Sequence, residues 1–226
     1  MAKTQVSGMV AAFAAVTLVV AGAGLFASTK PGEAQHDHMG LSQPAERSEI
    51  NRADLRRDMR KLWSDHVIWT REYIVAAVAG TPDASAAAER LLKNQEDIGQ
   101  AIAGFYGKAA GEKLTALLKD HILIAVDVVA AAKAGDQAKY SAADRRWKEN
   151  ADDIATFLSQ ANPNWPKAVL ADMMTMHLQT TTDEVVARLN KKWDEDVAAF
   201  DRVYAHILGM ADALTDGIVK QFAARP

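Results

Sequence analysis

LLKDHILIAVDVVAAAKAGD, residues 117–136, carries apolar residues at three- and four-residue intervals along most of its length and stops at Gly135-Asp136. The strict alternation of a strand is missing, so the stretch reads as a helix ended by glycine. His121 shares a stripe with Leu117, Ile124 and Val128, which turns its imidazole toward the core. The pattern recurs upstream as LWSDHVIWTREY, residues 62–73, where His66 shares a stripe with Leu62, Trp69 and Tyr73. It recurs more loosely downstream as MMTMHLQTTTDE, residues 173–184, where His177 shares a stripe with Met173, Met174 and Glu184.

Working outward from these helices, each is followed by a second one. Asn94-x-x-Asp97-Ile98 and Asn150-x-x-Asp153-Ile154 match in register, and Asp196-Val197 takes the same place more loosely, which puts Trp193 where the asparagine would stand. The spacing predicts six helices, at about 48–79, 84–106, 110–134, 137–160, 166–189 and 191–223, with apolar stripes throughout. Gly80-Thr81-Pro82-Asp83, Gly107, Gly111 and Asn162-Pro163-Asn164-Trp165-Pro166 punctuate them. The expected fold is all-α: a six-helix bundle built from three αα-hairpin repeats.

The N-terminus has a different character. Lys3 precedes an apolar run from Met9 to Ala27, and no further charge appears before Lys30. Residues 1–28 therefore read as a signal peptide or an N-terminal membrane anchor, with Ala21-Gly22-Ala23 as a small-x-small cleavage site. Residues 29–46, rich in Pro, Gly and Ser, read as a flexible linker, and 47–226 as the bundle domain. An extracytoplasmic location follows, periplasmic or secreted, with membrane contact only through residues 9–27 if the segment is retained. The chain has no cysteine, so thiolate sites and disulfides are excluded. A net charge of −3, spread without runs of one sign, gives no footing for nucleic acid.

The chemistry that the sequence offers is imidazole and thioether. Asn94 and Asn150 face inward one turn before Ile98 and Ile154, so His66–Asn94 and His121–Asn150 are expected as structural hydrogen bonds inside their hairpins. The third copy lacks that asparagine, has Met176 where Asp65 and Asp120 stand, and adds His206 in the last helix with no counterpart elsewhere. Antiparallel pairing of the last two helices brings His177 and His206 within a turn of each other. His177, His206, Met173 and Met210 are therefore the first candidates for a metal site, and Met174, Met176, His66, His121 and the linker's His36 and His38 come behind them. Imidazole with thioether suits copper, Cu(I) above all.

Catalytic motifs are absent: no glycine-rich phosphate loop, no Gly-x-Ser-x-Gly and no His-Glu-x-x-His. The carboxylates offer no Glu-x-x-His pair for a di-metal centre. LWSDHVIWTREYI, NQEDIG, LLKDHILIAVDVVAAAKAGD, NADDIATFLSQANPNWP and AHILGMADALTDGIVKQF together resemble a functionally uncharacterised family of small exported bacterial all-helical proteins. Members of that family often carry the labels glycosyltransferase or acetylglutamate kinase. The resemblance covers roughly 58–223 and implies export and a helical fold, with no established site. Both labels conflict with a chain that offers no α/β nucleotide scaffold. The expected function is non-catalytic binding of a metal or small ligand. The competing expectation is a structural or interaction module whose core histidines only specify packing.

Overall fold

The computed structural model describes residues 51–222. They form six helices: α1 Arg52–Ala79, α2 Ala84–Tyr106, α3 Lys108–Ala134, α4 Gln137–Ala161, α5 Lys167–Leu189 and α6 Trp193–Phe222. Among the described residues there is no strand, and no helix is long and apolar enough to cross a membrane. The expected signal or anchor, the linker and His36 and His38 lie outside the described residues.

The ends follow from local chemistry. The Asn51 side chain accepts from the amides of Ala53 and Asp54, so α1 begins at Arg52 rather than at 48. Gly80 and Gly135 close α1 and α3 in the left-handed conformation, at φ 76° and 67°, where a side chain is disfavoured. Lys191 also adopts positive φ, 58°, which delays α6 to Trp193.

Each helix packs on the next in chain order, and α1 also packs on α6, so the six close into a ring. Short connections make neighbours antiparallel. Rising numbers on α1 meet falling numbers on α6, from Arg52–Asp216 through Arg60–Asp212 to Arg71–Asp196. The α2/α3 seam is held close by two glycines, since a Cβ on Gly99 would fall 2.7 Å from Gly111 O and one on Gly111 would fall 2.5 Å from Gly99 O. One apolar core runs through the ring, from Met59, Trp63 and Ile98 through Leu118, Trp147 and Ile154 to Met174, Ile207 and Leu214. Its burial supplies most of the stability that a cysteine-free chain can draw on.

Candidate functional site

At mid-height the odd-numbered helices each turn one histidine inward. His66 on α1, His121 on α3 and His177 on α5 are all nearly inaccessible to solvent. His177 is the hub: its ring centroid lies 5.6 Å from that of His66, 6.2 Å from that of His121 and 6.3 Å from that of His206. Trp63 and Trp147 flank the outer two rings at 5.7 and 5.3 Å. The imidazoles form a layer across the interior.

Two cavities meet at this layer, and among the described residues His66, His121 and His177 alone line both. The lower one, about 20 Å³, adds Trp63, Met173, Met174 and Met210. That is room for a single water-sized occupant. The upper one, about 40 Å³, is walled by aliphatic side chains with Thr70, Thr181 and Thr182. A surface groove between α4 and α5 shares Met174 with the lower cavity and Tyr140 and Thr182 with the upper.

The three buried histidines are held very differently. His121 is satisfied at both nitrogens: Trp147 Nε1 donates to Nε2 over 3.1 Å, which leaves the proton on Nδ1 to donate to Asn150 Oδ1 over 2.7 Å. His66 is held by one longer contact, with Nδ1 3.3 Å from Gln95 Nε2. That amide also donates to Leu91 O at 2.8 Å and Asn94 Oδ1 at 3.1 Å, which use its two hydrogens. His177 Nδ1 has no partner among the described residues.

The asparagines act on backbone as well. Asn94 Nδ2 donates to Leu62 O and Asn150 Nδ2 to Leu117 O, each the carbonyl one turn before a layer histidine. On α6 the donor in that position is an imidazole, since His206 Nε2 lies 2.9 Å from Met173 O. A carbonyl only accepts, so this nitrogen carries the proton. Donor follows acceptor by 32, 33 and 33 residues in the three cases.

These contacts revise the expected pairings. Gln95 rather than Asn94 meets His66, because Asn94 is spent on the carbonyl of the preceding turn. Trp193 does not stand in the asparagine's place: it opens α6 with 53% of its surface exposed. His206 takes that role. Of the first metal candidates, His177, Met173 and Met210 come together at the lower cavity, whereas His206 is only half-buried and is absent from its lining. Met174, His66 and His121 join the cavity, and Met176 points to solvent at 53% exposure.

The chain finds no match among family models, curated proteins or solved structures. What the layer can do must therefore come from its own chemistry. Burial drives the His66 imidazole down to about 3, the His121 ring pushes the same way, and the Gln95 contact opposes both. Burial likewise lowers His121 to about 4 against the bond to Asn150. His177 is held well below its ordinary value by burial and then by His66, His121 and His206. All three are neutral imidazoles at ordinary pH, the form that ligates metals. Among the described residues, no three His, Asp or Glu side chains are placed to hold one ion. The lower cavity sets the thioether side chains of Met173, Met174 and Met210 beside the imidazoles.

A second polar cluster lies beyond the upper cavity, between α1, α5 and α6. Arg71 donates to Glu184 Oε1 at 2.7 Å and to both carboxylate oxygens of Asp196 at 2.8 and 3.0 Å. Arg188 adds 3.0 Å to Asp196. Both carboxylates are 1% exposed. Burial raises Glu184 to about 7 against the pull of Arg71. Burial also pushes Asp196 upward, yet bonds from Arg71 and Arg188 hold it below its ordinary value. Reading by sequence stripe places Glu184 inward with His177, but nothing in the sequence reveals Arg71 as its partner across 113 residues.

Proposed function

We propose that this chain is an extracytoplasmic, non-catalytic helical bundle that binds one Cu(I) ion at the lower face of its histidine layer. His177 is the leading nitrogen ligand, His66 is the second, and the thioethers of Met174, Met210 and Met173 supply sulfur. The observation that carries this reading is the unpartnered Nδ1 of His177, 5% exposed in the wall of a methionine-lined cavity. A buried polar atom with no partner marks a place where something binds, and neutral imidazole beside thioether favours a soft monovalent ion. His121 stands outside the proposed ligand set because both its nitrogens are engaged.

The same proposal takes the bundle as three copies of one αα-hairpin. The three donor-to-carbonyl bonds of like form support it, and on this reading His206 is the counterpart of Asn94 and Asn150. It also keeps export as signal or anchor and the resemblance to the exported helical family. Titrating the full chain with Cu(I) against a chromogenic chelator tests the binding. One equivalent should be retained, and it should be lost in His177→Leu. His36→Ala/His38→Ala should keep it, which separates the layer from the linker. No retained copper, or copper unaffected by His177→Leu, overturns the assignment. A purely structural reading is favoured at His121 alone, whose hydrogen bonds are complete.

A further inference from the structure

The upper cavity shares its histidine floor with the proposed copper site but differs from it in lining. Its wall is aliphatic and aromatic, with Ile74, Val129, Val185 and Tyr140 among the lining, and it reaches the surface beside Val186, which is 47% exposed. Its floor is polar. Thr181 and His177 sit one turn apart on α5, each 5% exposed, and neither Thr181 Oγ1 nor His177 Nδ1 has a hydrogen-bond partner among the described residues. Two unpartnered polar atoms on one helical face at the base of an apolar cavity define a place for one hydrogen-bonding head.

The chemistry of the floor narrows what that head is. The imidazoles of His66, His121 and His177 are neutral, and no Lys, Arg, Asp or Glu lines the cavity. A charged head would lie buried without a counter-ion, which is strongly unfavourable. A hydroxyl both donates and accepts, and so can satisfy an imidazole nitrogen and a threonine oxygen together. The volume of about 40 Å³ holds roughly three water-sized groups in a row. We propose that the upper cavity binds a small neutral alcohol, its hydroxyl between His177 Nδ1 and Thr181 Oγ1 and its short alkyl tail pointing to the opening at Val186. The same Nδ1 is the nitrogen proposed above for Cu(I), so the alcohol and the metal exclude one another at His177, and it is the metal-free chain that binds the alcohol.

The test uses the full chain, metal-free, with ethanol as probe, since its three non-hydrogen atoms match the volume, and the valine and isoleucine methyl resonances as readout. Saturable shifts are expected at Ile74, Val129 and Val185, with none from acetate or ethylammonium. Thr181→Val, which removes a hydroxyl that has no partner among the described residues, should weaken binding about fivefold, the worth of one hydrogen bond. Val186→Trp, at an exposed position that folding tolerates, should abolish it. Shifts that rise linearly without saturation, equal response to acetate, or a Thr181→Val variant that binds as well as wild type each overturn the proposal. Because no metal is present, these outcomes leave the copper titration to be decided separately.

Discussion

The α3/α4 hairpin and the α5/α6 hairpin present the same residue to the same interior, and treat it in opposite ways. His121 is closed at both nitrogens by Trp147 and Asn150. His177 is packed as deeply, lies beside three other imidazoles, and has no partner at Nδ1 among the described residues. The residues that make the difference are on the second helix of each pair. Where α4 carries an asparagine that serves both a carbonyl and an imidazole, α6 carries His206, which serves only the carbonyl of Met173. One hairpin closes its histidine as structure and the other leaves it available.

The open hairpin then needs holding by other means, and the Arg71 cluster does that. Arg71→Met should give the largest loss, about 3–5 kcal/mol, because it leaves the buried carboxylates of Glu184 and Asp196 without their main partner. Urea denaturation measures it; a loss under about 1 kcal/mol would mean that α5 and α6 are held to α1 by packing alone.

The acid response follows from the layer. His66 and His121 titrate at about 3 and about 4 when folded, and His177 also lies well below its ordinary value. The unfolded chain takes up these protons near about pH 6.5. Between those limits the unfolded state binds more protons, so stability is full above pH 6.5 and is lost as pH falls toward 4. Glu184, raised to about 7, is protonated when folded and ionised when unfolded over part of the same range, which offsets about one histidine. The net expectation is a loss of roughly 3 kcal/mol per pH unit between 6 and 5. A flat profile there would show that the imidazoles take up protons in place.

The direct contrast comes next in size. His121→Leu leaves Trp147 Nε1 and Asn150 Oδ1 unpaired in the core and should cost about 2–4 kcal/mol. His177→Leu exchanges an imidazole whose Nδ1 is unpartnered for a hydrocarbon and should stay within about 1 kcal/mol of wild type. Equal losses for the two would erase the distinction between closed and open histidines.

Much of the architecture was legible because helical periodicity and glycine stops are local signals. The boundaries of α2 and the glycine ends of α1 and α3 fall where the pattern puts them. The inward face of the three histidines was legible for the same reason. The partner assignments were not. Asn94 and Gln95 are adjacent and both are buried, so the choice of which meets His66 depends on helix rotation across a seam. Aligning the acidic residues put Trp193 opposite His177, while distance along two antiparallel helices puts His206 there, and only packing decides between those registers. Arg71 carries no periodic mark, and its carboxylate partners are 113 and 125 residues away.

The most direct test of the open histidine is the coordination of bound copper by X-ray absorption on the Cu(I)-loaded full chain. Both nitrogen and sulfur neighbours are expected around one copper, with the nitrogen contribution reduced in His66→Leu and the sulfur contribution reduced in Met174→Leu/Met210→Leu. A shell of nitrogen and oxygen alone, or a spectrum unchanged by those substitutions, would contradict a site at the methionine side of the histidine layer.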